Sequence, residues 1–300
     1  MVIGAGKSGT TALHHYLQQH PQLFVPQHKD PSYLALMHEK PSAAENHPKG
    51  LAYYPFAIYH AEEYIALYHK AEPEQLTGDV STMYLYHKQA AENIRKYRPD
   101  AKIIAILRNP ADRLYSRYLH LARDGRHPET PLSQLFDRDS IWWKRNDLIY
   151  EGFFYQHLKR YFDRFSPDQI KVFLYEDLQS EEKGLIREMY RFLDVAQDFE
   201  PETHIIFNQS GFVKSVWKDR LIGHGSILRR TAETLFPSLL NRLRKHPRSQ
   251  RMVSQMRAQN LHRPVLDADL RARIIKEIYE EDILKLQTLI GRDLSAWLEV

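Results

Sequence analysis

Short apolar runs alternate with amphipathic segments through most of the chain. Three runs are rich in β-branched or other apolar residues, which is typical of buried strands: residues 1–4, 102–107 and 169–174. Each is followed by apolar residues at helical spacing, at residues 10–19, 110–124 and 181–193. Because alternating strands and helices predict parallel strands with crossover helices, the expected fold class is α/β, with a central parallel sheet flanked by helices.

Weaker patterns cover the remaining segments. Residues 20–59 hold six prolines and many aromatics, which favours loops with one short strand near residues 23–25. Further predicted elements are helices at residues 61–70, 87–97 and 153–165 and a strand at residues 76–79. A last long helix is predicted over residues 267–290, with its inward face formed by Leu270, Ile274, Ile278, Ile283, Leu286 and Ile290.

Length and composition limit the class of protein. One domain over residues 1–300 is predicted, with a basic, proline-interrupted helical excursion at about residues 217–263. The absence of cysteine excludes disulfides and thiolate metal sites. No apolar run approaches the roughly 18 residues of a membrane span, and the first residues form no signal peptide, so a cytoplasmic protein is expected. A net charge of +4 suits an anionic ligand but falls short of a nucleic-acid footprint.

A first candidate anion site lies where the first strand turns into the first helix, in the segment G-A-G-K-S-G-T-T at residues 4–11. Helix N-termini present unpaired N–H groups and a partial positive charge, and glycines let the backbone close around an anion. Lys7 adds a full charge and the segment's hydroxyl groups add hydrogen bonds. The candidate ligands of this segment are Lys7, Ser8, Gly9, Thr10 and Thr11. A plain glycine turn before a capped helix is the structural alternative.

The same segment partly matches a Walker A loop. Gly6, Lys7 and Ser8 fit its tail, but the glycine required five positions before Gly6 is Met1. A nucleotide kinase or NTPase is therefore the runner-up function. A noncatalytic module that binds anions or nucleic acid is the third possibility.

A second candidate phosphate site follows the strand at residues 102–107. Arg108 ends this strand, Asn109 is the predicted N-cap of a helix that opens with Pro110, and Ser116 lies seven residues beyond the cap. Seven steps of about 100° return Ser116 to within roughly 20° of the face of the cap. Arg108 and Ser116 can therefore hold one phosphate from two sides. Since this strand ends in arginine, it differs from a Walker B strand, which ends in a magnesium-binding aspartate.

These two segments together resemble those of the sulfotransferases that use 3'-phosphoadenosine 5'-phosphosulfate (PAPS), especially the bacterial and carbohydrate-type branch. K-S-G-T-T from Lys7 is similar to the family's 5'-phosphosulfate loop. L-R-N-P-A-D-R-L-Y-S-R-Y from Leu107 is similar to its 3'-phosphate motif, with Arg108 and Ser116 on the two phosphate-binding positions. The resemblance implies a P-loop-NTPase-like sheet and PAPS as the sulfuryl donor.

Other segments extend the resemblance over nearly the whole chain. P-Q-H-K-D-P-S-Y from Pro26 and G-D-V-S-T-M-Y-L from Gly78 resemble family segments, but Asp30 stands where glutamate is usual and Thr82 replaces a proline. V-F-L-Y-E-D-L from Val172, F-N-Q-S-G-F-V-K-S from Phe207 and the closing L-S-A-W-L resemble later segments. The resemblance implies that Lys214 reaches the nucleotide.

Roles in sulfuryl transfer follow from this resemblance. Lys7 is expected to stabilise the charge on the departing phosphate, and the resemblance places Asp30 as the base that deprotonates the acceptor. His28 and Asp79 are the alternative bases. The acceptor is a small molecule or glycan that offers a hydroxyl or an amine, and no metal is predicted because no cluster of ligands at metal-binding spacing is present.

Overall fold

The three strongest apolar runs form a parallel sheet. The computed structural model describes residues 1–37, 56–123, 132–203 and 264–299, together with the backbone of two short strands, Phe212–Val213 and Leu261–His262. Strands β1 (Val2–Gly4), β4 (Ile103–Leu107) and β5 (Ile170–Leu174) lie in the order β1-β4-β5, with every pairing parallel. All residues of β1 and β4 are buried. The predicted α/β class is confirmed.

Two shorter strands extend the sheet on the other side of β1. Strand β2 (Leu23–Phe24) pairs in parallel with β3 (Leu76–Thr77). The chain after β3 then reaches β1, where the Val2 N–H donates to the Asp79 carbonyl at 2.8 Å. The strand order is therefore β2-β3-β1-β4-β5, and the direction of the connections reverses between β1 and β4. In open α/β sheets, ligands bind at the carboxyl edge at such a switch point.

Thirteen helices are present in the part of the chain that the structure describes, and the predicted long ones are found within a few residues. They are α1 (Thr10–Gln19), α2 (Tyr33–Leu36), α3 (Ala61–Ala66), α4 (Met83–Tyr86), α5 (Ala90–Tyr97), α6 (Pro110–Arg123), α7 (Ile141–Lys144), α8 (Phe154–Phe162), α9 (Tyr175–Ser180), α10 (Glu182–Phe192), α11 (Ala268–Ile274), α12 (Glu280–Ile290) and α13 (Ser295–Leu298). Short 3₁₀ turns occur at Leu132–Phe136, Tyr150–Gly152 and Pro167–Gln169.

Helices α1 and α10 pack on one face of the sheet. Their apolar residues form a continuous buried cluster with the sheet residues Ile104, Ile106 and Phe173. Burial of this amphipathic face holds the first turn of α1 at the carboxyl end of β1. The loop between β1 and α1 is thus fixed at both of its ends.

The last long helix is interrupted. A π-helical turn at Ile275–Tyr279 separates α11 from α12. Because a π turn holds one extra residue, the inward face moves by one position after Ile274. Tyr279 is fully buried, whereas the predicted inward residue Ile278 is half-buried. Further along, Ile283 and Leu286 are buried as expected.

The chain divides into two compact units. The first unit consists of Met1–Arg117, Pro128–Glu202 and Leu266–Val300, and it holds all five parallel strands. The second consists of Tyr118–His127 and Thr203–Val265, and its described part includes an antiparallel pair between Phe212–Val213 and Leu261–His262. The predicted excursion otherwise lies outside the described residues, and the single domain stays a prediction. Within the described residues, no helix combines the length and apolarity needed to cross a membrane.

Candidate active site at the carboxyl edge of the sheet

The loop between β1 and α1 has an unusual backbone. Lys7 has φ of 68° and Gly9 has φ of 102°. A residue with a side chain rarely adopts such a left-handed conformation, and those that do cluster at functional sites. The Ala5 N–H donates to the Ile106 carbonyl at 2.8 Å, which attaches the start of the loop to β4. The loop that carries Lys7 therefore lies at the switch point of the sheet.

The hydroxyl of Ser8 is buried without a hydrogen-bond partner among the described residues. Leaving a buried hydroxyl unsatisfied costs about 1 to 3 kcal/mol, so this group fits a ligand oxygen. Thr10, two positions after Ser8, begins α1 and is buried, while Gly9 provides no side-chain cap for the helix. The N–H groups in the first turn of an α-helix lack the usual acceptor four residues back, and such a helix start suits an anion.

Gly9 lies against the start of α9. A Cβ atom at Gly9 would approach Leu178 Cδ2 to 2.7 Å and Tyr175 Cδ2 to 3.3 Å. Both this close approach and the positive φ require glycine at this position. The loop consequently passes beside Tyr175, with no room for a side chain between them.

Arg108 contacts the same tyrosine. It directly follows β4, and its guanidinium carbon lies 4.8 Å from the centroid of the Tyr175 ring. A cation over an aromatic face at this distance is stabilised by the ring quadrupole. Tyr175 therefore lies beside both predicted phosphate-binding segments. It was not predicted as a site residue, although its position directly after β5 in V-F-L-Y-E-D-L was a usable signal.

Helix α6 carries the rest of the second segment. The Asn109 side-chain oxygen accepts the N–H groups of Ala111 at 3.0 Å and Asp112 at 3.3 Å, so its predicted N-cap role is confirmed. Ser116 lies in the second turn of α6 and is partly exposed. Its joint grip with Arg108 on one phosphate stays a prediction.

Asp30 lies at the same edge, on the β3 side of β1. Its Oδ1 accepts the Thr82 N–H at 2.8 Å and the Thr82 hydroxyl at 3.1 Å, and its Oδ2 pairs with Lys29 Nζ at 2.6 Å. The Thr82 carbonyl in turn lies 3.2 Å from the position of a Cβ on Gly4, the last residue of β1. Burial raises the pKa of Asp30, but the Lys29 ammonium and the Thr82 donors outweigh it and hold this pKa below its usual value.

The two alternative bases have other partners. The Asp79 carboxylate accepts the hydroxyls of Tyr64, Tyr84 and Ser81 at 2.7 to 2.9 Å and lines a cavity of about 860 Å³ that reaches Met1. Burial raises the pKa of Asp79. The His28 Nε2 lies 2.5 Å from the Phe56 carbonyl. Of the predicted bases, Asp30 is linked through Thr82 to Gly4 at the end of β1, whereas Asp79 accepts the N–H of Val2 at the start of β1 through its main-chain carbonyl.

Lys214, which the motif resemblance assigns to the nucleotide, lies outside the described residues. Within the residues that the structure describes, no group of three or more histidine, cysteine, aspartate or glutamate side chains could hold a metal ion.

The parallel sheet, its flanking helices and the glycine-containing loop at its switch point define the class of P-loop-like α/β proteins. The model of the sulfotransferase family matches residues 1–200 of this chain. The chain belongs to the sulfotransferase family.

Similar proteins agree with this membership. The crystal structure of a sulfotransferase from Alicyclobacillus acidocaldarius is similar with a TM-score of 0.68 and 25% identity, over 99% of this chain and 97% of that one. The bifunctional heparan sulfate N-deacetylase/N-sulfotransferase 4 of Mus musculus is 27% identical in an alignment of 228 residues that covers 71% of this chain and 24% of that protein. A membrane-associated sulfotransferase, kil1 of Dictyostelium discoideum, is 31% identical over 39% of this chain and 22% of its own length. The chain spans about a quarter of the length of these curated relatives.

Proposed function

We propose that this protein transfers the sulfuryl group of PAPS to a hydroxyl or amine acceptor and releases adenosine 3',5'-bisphosphate. The observation that carries the proposal is that Gly9 of the phosphate loop lies beside Tyr175 at the carboxyl edge, while Arg108 contacts the ring of the same tyrosine. Two cationic segments side by side suit a nucleotide with phosphates at both ends. Family membership supports PAPS as that nucleotide.

The residues present fit such a donor. Lys7, Ser8, Gly9, Thr10 and Thr11 would hold the 5'-phosphosulfate, and the unpartnered Ser8 hydroxyl supports this assignment. Arg108 and Ser116 would hold the 3'-phosphate, and Tyr175 would border the nucleoside that joins the two ends. The assignment of Lys214 to the nucleotide rests on the motif resemblance alone.

Charge and proton transfer can be assigned to this chain's own residues. When bound, PAPS supplies a sulfuryl group whose sulfur–oxygen bond to the 5'-phosphate breaks as the acceptor bond forms. The Lys7 ammonium stabilises the negative charge that remains on the phosphate oxygen. Asp30 takes the proton that the acceptor hydroxyl or amine loses.

The two departures from the family pattern meet at this base. Thr82 stands where the family has a proline, and a proline has no N–H to donate. Thr82 donates both its N–H and its hydroxyl to the shorter carboxylate of Asp30. Thr82 and Asp30 therefore act together, because Thr82 supplies the two donors that orient the Asp30 carboxylate.

This pairing predicts a shift in the pH profile of the reaction. Thr82→Val removes one hydrogen bond to the ionised form of Asp30, so the pKa of Asp30 rises. Activity is lost as pH falls through this pKa, and the acid limb of the kcat profile should therefore move to higher pH. Asp30→Asn should remove the limb and most of the activity. An unchanged limb in Thr82→Val would exclude Asp30 as the base and favour His28 or Asp79.

A transfer assay with labelled PAPS tests the proposed function. The acceptor panel should contain phenols, sugars and a glycan with free amines, since N-sulfotransferases occur among the relatives. Transfer to at least one class is expected, and it should survive EDTA because β4 is followed directly by Arg108, where a magnesium-dependent Walker B strand ends in an aspartate. Loss with EDTA that Mg²⁺ restores, together with tighter binding of ATP than of adenosine 3',5'-bisphosphate, would support a kinase instead.

A further inference from the structure

A fully buried carboxylate lies next to the phosphate loop. Glu151 is in the 3₁₀ turn Tyr150–Gly152 and has no exposed surface. Its Oε1 accepts the Gly6 N–H at 2.7 Å. Its Oε2 accepts Arg113 Nη1 at 2.8 Å. One carboxylate therefore binds a loop residue with one oxygen and a residue of α6 with the other.

A carboxylate at this place is unexpected for an anion site, because a negative charge beside the loop opposes the binding of phosphate. The side chain of Arg113 is also fully buried, and Arg117 Nη2 lies 3.9 Å from the same carboxylate oxygen. These guanidinium groups offset part of the cost of burying the Glu151 charge, although burial still holds the pKa of Glu151 above its usual value. A buried charge that is compensated in this way can serve as a fixed hydrogen-bond acceptor.

Gly6 is shaped to meet this carboxylate. A Cβ atom at Gly6 would lie 2.7 Å from Glu151 Oε1, so a side chain at this position would push the carboxylate away. The N–H of Gly6 points to Glu151 and is not available for a ligand. Gly6 is therefore the anchor of the loop, and the ligand-binding groups begin at Lys7.

The other end of the link leads to the second phosphate segment. Arg113 belongs to α6, which also carries Ser116. This helix begins directly after its N-cap Asn109, which follows Arg108 in the chain. The turn that holds Glu151 is itself fixed, since Arg113 Nη2 donates to the Leu148 carbonyl and the Tyr279 hydroxyl donates to the Ile149 carbonyl at 2.8 Å. Loop, turn and helix thus form one connected unit.

We propose that Glu151 is a positioning residue that sets the spacing between the two phosphate-binding segments, an inference that rests on the proposed function. Both of its oxygens are engaged by protein groups, so it positions the segments and does not bind the nucleotide itself. It holds the loop that carries Lys7 at a fixed distance from the helix that carries Ser116. A nucleotide with phosphates at both ends depends on this spacing, whereas a nucleotide with a single phosphate uses only one segment.

Glu151→Gln tests the proposal by calorimetry on the full chain. A carboxamide has one acceptor oxygen where the carboxylate has two, so one of the two links must be lost with little change in shape. Affinity for adenosine 3',5'-bisphosphate should fall at least about tenfold, because the misplaced segments can no longer bind both phosphates together. Affinity for adenosine 5'-monophosphate and for adenosine 3'-monophosphate should each change less than about threefold, since each segment alone is intact.

The matched control is Glu281→Gln, which removes an exposed carboxylate paired with Lys285 and should change none of the three affinities. Circular dichroism and thermal unfolding verify that each variant is folded, and Glu151→Asp, which is too short to reach both partners, provides the same test if Glu151→Gln does not fold. Equal weakening of all three ligands, or no weakening of the bisphosphate, would overturn the positioning role and leave the proposed function standing. Failure of the unaltered protein to bind the bisphosphate would overturn both.

Discussion

Lys7→Ala is expected to lower kcat by roughly 10²- to 10³-fold at saturating PAPS, the loss typical of removing one preorganised electrostatic donor. Negative charge on the bridging oxygen grows as the sulfur–oxygen bond breaks, so a fixed ammonium acts mostly in the transition state. The left-handed backbone at Lys7 makes alanine the suitable replacement, because alanine keeps the Cβ atom and with it the same backbone restriction. The measurement is saturation kinetics with any accepted substrate.

Binding of the product nucleotide distinguishes a catalytic role of Lys7 from a role in binding alone. In Lys7→Ala, the affinity for adenosine 3',5'-bisphosphate, measured by calorimetry, should fall much less than kcat. Lys7→Arg should restore little activity, since a planar guanidinium cannot place a compact charge in a loop shaped for an ammonium group. Lys285→Ala, which removes an exposed lysine, is the matched control. An unchanged kcat with a raised KM for PAPS would make Lys7 a binding residue only.

Arg108→Ala is expected to weaken the binding of adenosine 3',5'-bisphosphate by about 1.5 to 3 kcal/mol, which is the free energy of a lost hydrogen bond to a charged group. This corresponds to roughly a 10- to 150-fold rise in Kd. A nucleotide without the 3'-phosphate should lose far less affinity. The comparison by calorimetry tests the assignment of Arg108 to the 3' end, because the affinity should fall strongly only for the nucleotide that carries a 3'-phosphate.

Two further variants sharpen this result. Arg108→Lys keeps the charge but removes both the planar fork and the stacking of the guanidinium on Tyr175, so its affinity should lie between those of the alanine variant and the unaltered protein. Arg187→Ala removes an exposed arginine paired with Glu200 and should leave both affinities unchanged. Equal weakening of both nucleotides in Arg108→Ala would contradict a contact with the 3'-phosphate.

The contact between the two departures from the family pattern could not be predicted from the sequence. Asp30 and Thr82 are separated by 52 positions, and each alone is only an unusual residue in a motif. Once they are in contact, the chain has a carboxylate that is oriented and held ionised. The free energy of such a pair depends on geometry that no local pattern contains.

Local patterns were sufficient for the main elements and for the loop and strand end that carry the two predicted phosphate segments. The strand at Ile103–Leu107, the helix at Thr10–Gln19 and the cap at Asn109 depend on neighbouring residues, whose apolar spacing and side-chain chemistry can be recognised directly. Short helices such as Met83–Tyr86 were not predicted, because four residues hold barely one helical turn and show no period. The π turn at Ile275–Tyr279 likewise leaves no mark in the apolar pattern.

The sequence by itself therefore determined the α/β class, the loop of Lys7 and the strand end at Arg108, since each depends on residues adjacent along the chain. Only the tertiary structure decided that Tyr175 lies beside both segments and that Gly6 is held by Glu151, 145 positions away. Such contacts arise from the packing of separate elements around a shared core. Their partners are chosen by distance and direction in space, which spacing along the chain does not encode.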